Sequence, residues 1–262
     1  MKPPVLILHA TGTNRDREAA WACELAGGAP EIVHINALLS GERRLMDYRF
    51  LVIPGGFSFG DDLGAGKMWA LVLKSRLAEQ LTAFVEARRP VLGICNGFQV
   101  LLKSGLLPGG AGGAVWSESQ DWTLTHNDSQ RFECRWVYLK AEASSRCVFT
   151  QGIERLIHCP VAHGEGRFVA RDAEALSRID PNQVALRYVS ASGEAAGYPW
   201  NPNGSVGGIA GICNREGTVM GLMPHPEDHI VAEHHPRYHR GEDGQRGLPL
   251  FENGIRYAAG LD

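Results

Sequence analysis

Residues 91–102 carry the sequence VLGICNGFQVLL, an apolar run of strand length that passes through a glycine-flanked cysteine into a segment with helical spacing. A buried strand followed at once by a helix is typical of a parallel α/β sheet. Within it, Gly93-Ile94-Cys95-Asn96-Gly97 has the form of a nucleophile elbow, because small residues two positions on either side of the central residue make room for a strained turn. The segment predicts an α/β fold in which Cys95 projects into a cleft at the end of a strand.

The same alternation of strand and helix fills the first hundred residues. Short apolar runs at 5–8, 31–35, 50–53 and 91–94 predict strands, and helical periodicity predicts helices over 15–26 and 71–87. Continuous apolar strands of this kind form parallel sheets covered on both faces, with functional sites at the carboxyl ends of the strands. We therefore expect functional residues in the segments 9–14, 54–61 and 95–97.

The second half of the chain has mainly strand-like runs instead of alternating strand and helix patterns. Strand-like runs at 132–139, 184–189, 208–213 and 218–223, with a turn at 214–217, predict an additional antiparallel portion, and residues 250–258 predict a closing helix. The fold class expected from both halves is a flavodoxin-like α/β fold, with a mainly parallel central sheet flanked by helices. We predict one domain over residues 1–262.

Composition excludes several classes of partner. A formal net charge of -3 gives no broad basic field, so neither nucleic acid nor a membrane surface is expected as a partner. The apolar run near the N-terminus is too short for a secretory or membrane segment, so we expect a cytoplasmic protein. The 6 cysteines lack C-x-x-C spacing, so neither a disulfide framework nor a cysteine zinc site is indicated.

A thiol nucleophile at Cys95 needs a base, and His225-Pro226-Glu227 offers one. In an extended segment residues i and i+2 project to the same side, so Glu227 can orient His225. The N-terminus of the helix that follows Cys95 favours its thiolate form. Alone, Cys95 could be a buried cysteine beside turn glycines, and the triplet could be surface decoration. Together they predict a catalytic Cys95, His225 and Glu227.

Acyl transfer from an amide also requires donors for the developing oxyanion. The turn Gly55-Gly56 ends the strand at 50–53, and the N–H of Asn96 directly follows the nucleophile. Without Cys95 the two glycines would indicate only an ordinary tight turn. With it, they predict an oxyanion region.

These motifs, in this order along the chain, resemble those of the class I glutamine amidotransferases. The matching segments are Pro54-Gly55-Gly56, Gly93-Ile94-Cys95-Asn96-Gly97-Phe98-Gln99 and His225-Pro226-Glu227. Within that class, longer segments resemble the glutaminase part of phosphoribosylformylglycinamidine synthases, and the similarity covers nearly the whole chain. Those segments are 55–61, 131–137, 160–168 and 221–227.

The resemblance implies a role for each matching residue. Cys95 would attack the side-chain amide of L-glutamine to form a glutamyl thioester, His225 would shuttle protons, and Glu227 would support His225. It implies further substrate contacts: Gly55, Gly56, Phe57 and Asn96 around the oxyanion, Gln99 near the bound glutamine, and Arg131 and Phe132 at its amino-acid end. The role of His163 stays open between a functional and a structural histidine.

The resemblance also implies a partner. The released ammonia would pass to a larger synthase subunit that uses ATP and Mg to convert formylglycinamide ribonucleotide to formylglycinamidine ribonucleotide. A small accessory subunit is left open. We expect no cofactor and no metal in this chain, since Gly64-Ala65-Gly66-Lys67-Met68 lacks two positions that a phosphate loop requires.

Two segments depart from the family pattern. Residues 62–67 replace a Tyr-Leu-Arg-Pro-Gly type sequence, which puts partner contacts there in question. The tail carries an additional histidine-rich stretch, with His229, His234, His235 and His239, for which we expect a solvated or partner-facing loop rather than a metal site.

Two rival hypotheses use the same scaffold. Flavodoxin-like peptidases and stress-related hydrolases share the cysteine elbow, but the late His-Pro-Glu triplet argues against them. A non-catalytic binding module is the other rival, and the intact Cys95, His225 and Glu227 argue against it. Release of glutamate from glutamine separates all three.

Overall fold

The computed structural model describes residues 2–242 and 244–261. Among these residues the strands are β1 Pro4–His9, β2 Ala29–His34, β3 Phe50–Ile53, β4 Val91–Ile94, β5 Trp122–Thr125, β6 Glu133–Ala141, β7 Ile157–His163, β8 Arg167–Ala170, β9 Val184–Val189, β10 Ile209–Cys213 and β11 Val219–Leu222. The α-helices are α1 Asp16–Leu25, α2 Ile35–Leu39, α3 Lys67–Arg76, α4 Ala78–Glu86, α5 Asn96–Ser104, α6 Ala173–Ser177 and α7 Leu248–Ala259.

The main sheet has the strand order β2-β1-β3-β4-β11-β10-β9-β6-β7. The strands from β2 to β11 in this order are all parallel, and those from β11 to β7 pair in antiparallel fashion. β5 and β8 form a separate antiparallel pair. The predicted fold class, a mainly parallel sheet with an additional antiparallel portion, is confirmed.

Helices cover both faces of the parallel portion, as alternate residues of β3 illustrate. Phe50 lies beside Gly254 of α7, whereas Leu51 lines a small apolar space with Leu73 of α3 and Leu81 of α4. Successive side chains of a strand point to opposite faces, so α7 lies on one face and α3 and α4 lie on the other. This two-sided burial explains why the inner strands β3 and β4 carry no polar side chain.

The helix after β4 is buried along almost its whole length. Every residue of α5 except Lys103 is buried, which is the pattern of a helix enclosed by other elements. Phe98 packs so closely on β11 that a side chain at Gly221 would begin 2.1 Å from its ring. α5 is therefore fixed in direction, and its N-terminus is held at the edge of the sheet.

Two details differ from the sequence prediction. The helix expected over 71–87 is two helices, α3 and α4, separated at Leu77, where φ is -122° and ψ is 10°. No proline or glycine marks this break, so local sequence gives no signal for it. Strand β7 and the β5–β8 pair were not predicted as strands.

Candidate active site

The ends of two neighbouring parallel strands bring the predicted nucleophile and base together. β4 ends at Ile94, which pairs with Leu222 at the end of β11. The N–H of Cys95 donates to the carbonyl of Leu222 at 2.8 Å, which extends this pairing by one residue. Because carboxyl ends of parallel strands share one edge, Cys95 and His225 lie side by side although they are far apart in sequence.

Cys95 has the strained backbone of a nucleophile elbow. Its φ is 51° and its ψ is -104°, a conformation that costs a non-glycine residue of order 1–3 kcal/mol. The turn also brings Gly97 against β3, where a Cβ atom would lie 1.9 Å from the carbonyl oxygen of Ile53. A side chain at 97 would displace the turn, which explains the second glycine of the motif.

His225 and Glu227 form a buried pair. His225 Nδ1 lies 2.6 Å from Glu227 Oε1, and the side chains are 4% and 0% exposed. Burial by itself lowers the pKa of His225, but the charges of Glu227 and Cys95 outweigh it and raise the pKa well above its ordinary value. The arrangement therefore favours the protonated form of His225.

Gly55 gives the histidine its space. A Cβ atom at residue 55 would lie 2.7 Å from His225 Cε1 and 3.5 Å from Cys95 Cβ. The imidazole thus packs directly on the Gly55 backbone, next to the nucleophile. A side chain at residue 55 would therefore displace the predicted base, so the predicted oxyanion turn needs glycine at this position.

The turn after β3 is fastened to the loop between β1 and α1. The N–H groups of Phe57 and Phe59 donate to the carbonyls of Gly12 and Thr11 at 2.9 and 2.8 Å. Phe57 N–H is thus already engaged, although sequence analysis assigned Phe57 to the oxyanion region. Its side chain is 48% exposed at the mouth of the site.

Asn96 and Gln99 are buried and hydrogen-bonded to one another. Asn96 Nδ2 donates to Gln99 Oε1 at 2.9 Å, and Gln99 Nε2 donates to the carbonyl of Glu165 at 2.6 Å. Ser58 N–H donates to Asn96 Oδ1 at 3.4 Å. Both ends of the Gln99 amide contact protein, so the structure gives this side chain a supporting position between α5 and the loop at 164–166.

Asn127, which the sequence did not indicate, joins the remaining parts of the site. Its Nδ2 donates to the carbonyls of Arg131 and His163 at 2.9 and 2.7 Å, and its Oδ1 accepts the Gly166 N–H at 3.1 Å. Asn127 thereby links the segment with Arg131 and Phe132 to the loop at 164–166. A single asparagine between polar neighbours carries no periodicity or motif that could have indicated this role.

Asn127 also fixes the tautomer of His163. Because Asn127 Oδ1 can only accept, His163 Nδ1, 3.1 Å from it, must carry the hydrogen. Burial and then the nearby charge of His225 lower the pKa of His163 to about 3, so the ring stays neutral. Its Nε2 is an unprotonated, buried acceptor without a partner among the described residues. The histidine left open by the sequence is thus a neutral group close to the active site.

Comparison with known proteins gives the site its family context. The sequence model of one protein family, the CobB/CobQ-like glutamine amidotransferase domain, matches residues 2–258. The chain belongs to this family. The resemblance to glutamine amidotransferases found in the sequence is therefore confirmed.

Individual relatives cover nearly the whole chain. The phosphoribosylformylglycinamidine synthase subunit PurQ of Treponema denticola is 47% identical, over 98% of this chain and 99% of that protein. The PurQ subunit of Dehalococcoides mccartyi is 44% identical, over 98% of both. A chain in the structure of PurLQS from Thermotoga maritima matches with a TM-score of 0.73 and 33% identity, over 98% of this chain and 99% of that one.

The histidine-rich stretch departs from its predicted exposure. His229 is fully buried and His235 is 6% exposed, whereas only His239 lies in the exposed part of the loop. His229 and His235 pack with His158 of β7 around Trp136 and form the histidine cluster (His158, His229 and His235). The expectation of a solvated loop is wrong for these two residues, because aromatic side chains of β6 and β7 provide a surface that local sequence does not reveal.

Hydrogen bonds set the tautomers within the histidine cluster, although His229 Nε2 is buried without a partner among the described residues. His229 Nδ1 donates to the carbonyl of His158 at 2.5 Å, and Arg237 N–H donates to His235 Nδ1 at 3.1 Å. His235 Nε2 therefore carries a hydrogen, which it donates to His158 Nδ1 at 3.3 Å. Within residues 2–242 and 244–261, no group of His, Cys, Asp or Glu side chains is arranged to hold a metal ion.

The cluster predicts a loss of stability at acid pH. Burial, and then the charges of His235 and His229, lower the pKa of His158 to about 4 from 6.5. The unfolded chain binds more protons between these values, so the stability from neutral His158 is full above pH 6.5 and is lost as the pH falls towards 4. We expect His158→Phe, which keeps a ring on Tyr138, to reduce the fall in unfolding free energy between pH 7 and 4.5 by about 1–3 kcal/mol. Urea unfolding at a series of pH values measures this, and equal pH dependence in both proteins would contradict it.

No helix among the described residues is long and apolar enough to cross a membrane.

The segment at 62–67, which departs from the family pattern, packs near the site. Gly66 N–H donates to Asp61 Oδ1 at 3.2 Å, and Lys103 of α5 donates to the carbonyl of Ala65. Ala65 and Gly66 are buried, and a Cβ atom at residue 66 would lie 3.0 Å from Gln99 Cβ, so this segment packs on α5 beside the site.

Proposed function

We propose that this chain is the glutaminase subunit of a phosphoribosylformylglycinamidine synthase in purine biosynthesis. The observation that carries the proposal is the buried 2.6 Å contact of His225 with Glu227 beside a strained Cys95. Near full-length similarity to PurQ subunits supports the choice of pathway. The chain would supply ammonia, and its partner would use it.

In the proposed reaction, the Cys95 thiolate attacks the carboxamide carbon of L-glutamine. The tetrahedral intermediate collapses to a glutamyl thioester when His225 gives its proton to the departing nitrogen, which leaves as ammonia. His225 then removes a proton from water, which attacks the thioester and releases glutamate. Glu227 keeps the imidazole in the tautomer that both transfers require.

The oxyanion of both intermediates needs backbone donors. The Asn96 N–H lies directly after the nucleophile at the N-terminus of α5, and the Gly56 N–H belongs to the turn that packs on His225. Since Phe57 N–H already donates to Gly12, we assign the oxyanion to Asn96 and Gly56. Arg131 and Phe132 remain the proposed contacts for the amino-acid end of glutamine.

The amidation step would belong to a larger, ATP- and Mg-dependent synthase subunit in the cytoplasm, with or without a small accessory subunit. This chain would need no cofactor of its own. The segment at 58–66 is the natural contact, because Phe59 and Asp61 have positive φ values of 56° and 53° and Leu63 is 63% exposed. Docking of the synthase on residues 58–66 would align the Gly55-Gly56 turn, because this segment directly follows that turn in the chain.

We expect the isolated subunit to be a poor glutaminase that becomes efficient in the complex. One oxyanion donor contributes roughly 10²–10³ in rate, so its alignment on docking should raise glutamate production by a similar factor. Glutamate is measured for the pure subunit, for the subunit with synthase, and for that mixture with ATP, Mg and formylglycinamide ribonucleotide. Full activity in the first sample, unchanged by the additions, would defeat the proposed coupling.

Ammonium salt provides the control for this experiment. A complex that carries Cys95→Ala should lose glutamine-dependent amidation yet still form product when ammonium is supplied directly. Loss of the ammonium-dependent reaction as well would show that Cys95 acts in assembly rather than in glutamine hydrolysis.

A further inference from the structure

The acid of the candidate triad lies beside a second carboxylate. Glu227 is fully buried, with one oxygen on His225 and Oε2 without a partner among the described residues. The next residue, Asp228, is 19% exposed at its side chain. Burial, and then the charge of Glu227, raise the pKa of Asp228 to about 6. A proton on Asp228 would remove a negative charge from beside the His225–Glu227 contact and would weaken the support of the His225 imidazolium.

Groups from several elements face this pair. His225 lies on the same turn, Arg15 and Glu18 approach from the N-terminal part of α1, and Cys159 approaches from β7. Arg17 and His234 border the open cavity that Asp228 also lines. Arg15 differs from His225 because its charge does not titrate in the working range of pH. It is thus a permanent positive charge in contact with Asp228.

Arg15 also touches the other half of the site. Its N–H donates to the carbonyl of Gly55 at 3.3 Å, and its Cγ would lie 3.5 Å from a Cβ atom at residue 55. Its guanidinium reaches Asp228 Oδ2 at 3.8 Å and Glu18 Oε1 at 3.2 Å. One residue therefore connects the oxyanion turn with the turn that carries His225 and Glu227.

We propose that Arg15 is a positioning residue, whose charge keeps Asp228 ionised beside His225 while its stem and N–H brace the Gly55 turn. The inference rests on the proposed glutaminase function. If the charge is removed, a proton binds Asp228 at higher pH. The acid limb of the pH profile of glutamine hydrolysis then moves upward.

Arg15→Met separates the charge from the stem, because methionine keeps the aliphatic contact with Gly55 and the backbone N–H. In the synthase complex, we expect the acid limb of kcat/KM for glutamine to rise by about one pH unit, with about tenfold lower kcat/KM at pH 6 and a small loss at pH 8. Arg15→Lys should recover most of the wild-type profile. Arg76→Met, the same substitution at an exposed residue in the last turn of α3, is the matched control and should leave the profile unchanged.

Glu18→Gln tests the same inference by removing a negative charge near Asp228 instead of a positive one. It also leaves Arg15 free to pair with Asp228, so the acid limb should move to lower pH. This variant keeps the inference testable should Arg15→Met not fold, which circular dichroism reports. An acid limb that stays in place in both variants overturns the inference, even where the overall rate falls, because a purely structural contact would lower the rate at every pH.

Different results would refute the proposed function and the proposed role of Arg15. A wild-type complex without Cys95-dependent glutamate release would refute the proposed function. A wild-type complex that hydrolyses glutamine, with an acid limb indifferent to residues 15 and 18, would refute only the role of Arg15.

Discussion

Cys95→Ala should abolish glutamine hydrolysis, by about 10⁴-fold or more, because alanine has no thiol to form the thioester. The fold should survive, since alanine keeps the Cβ atom and loses only one sulfur atom. Alanine also carries the same strain at φ 51° that cysteine does. Glutamate release measures the effect, and thermal unfolding checks the fold.

Cys134→Ala is the matched control for this variant. Cys134 is an exposed free cysteine on β6, outside the site, so its removal should leave hydrolysis intact. An electrophilic glutamine analogue should likewise label Cys95 and spare Cys134. Label on Cys134 or Cys213, or substantial hydrolysis by Cys95→Ala, would assign the nucleophile elsewhere.

The second large effect is expected at the base. His225→Ala should lower kcat by about 10⁴, and Glu227→Ala by about 10², because a water molecule can partly replace an orienting carboxylate but not a proton shuttle. Steady-state kinetics in the same synthase complex compare the two variants. Small, equal losses would show that His225 and Glu227 are not the working pair.

The double variant sharpens this comparison. Residues that act as a unit are not additive, so His225→Ala with Glu227→Ala should be about as slow as His225→Ala alone. A further loss equal to that of the single Glu227 variant would mean that the carboxylate acts independently of the histidine.

Local patterns predicted the central strands and the residues at their ends. Phe50–Ile53, Val91–Ile94 and Val184–Val189 were predicted with the bounds that the structure has, because the first two are continuous apolar runs and only Arg187 interrupts the third. The spatial pairing of Cys95 with His225 follows from parallel strand order, which repeated strand and helix signals made predictable. The catalytic roles and the extent of a single domain stay predictions.

What the sequence did not reveal depends on contacts between distant segments. The burial of His229 and His235 arises from Trp136 and His158, which come from other strands. The bridging positions of Arg15 and Asn127 likewise depend on loops that meet only after folding. Such residues carry no periodicity, so a single sequence indicates their chemistry but not their neighbours.

The pairing of β4 with β11 has a consequence for how activity appears during synthesis. The strands β5 to β10 lie between them in the chain, so their pairing closes a long loop, which is entropically costly and slow. A growing chain folds from its N-terminal end and therefore displays the thiol of Cys95 well before β11 and His225 exist. We expect an unfinished chain to carry a nucleophile without a proton shuttle, so that glutamine is not consumed until the last part of the sheet is in place.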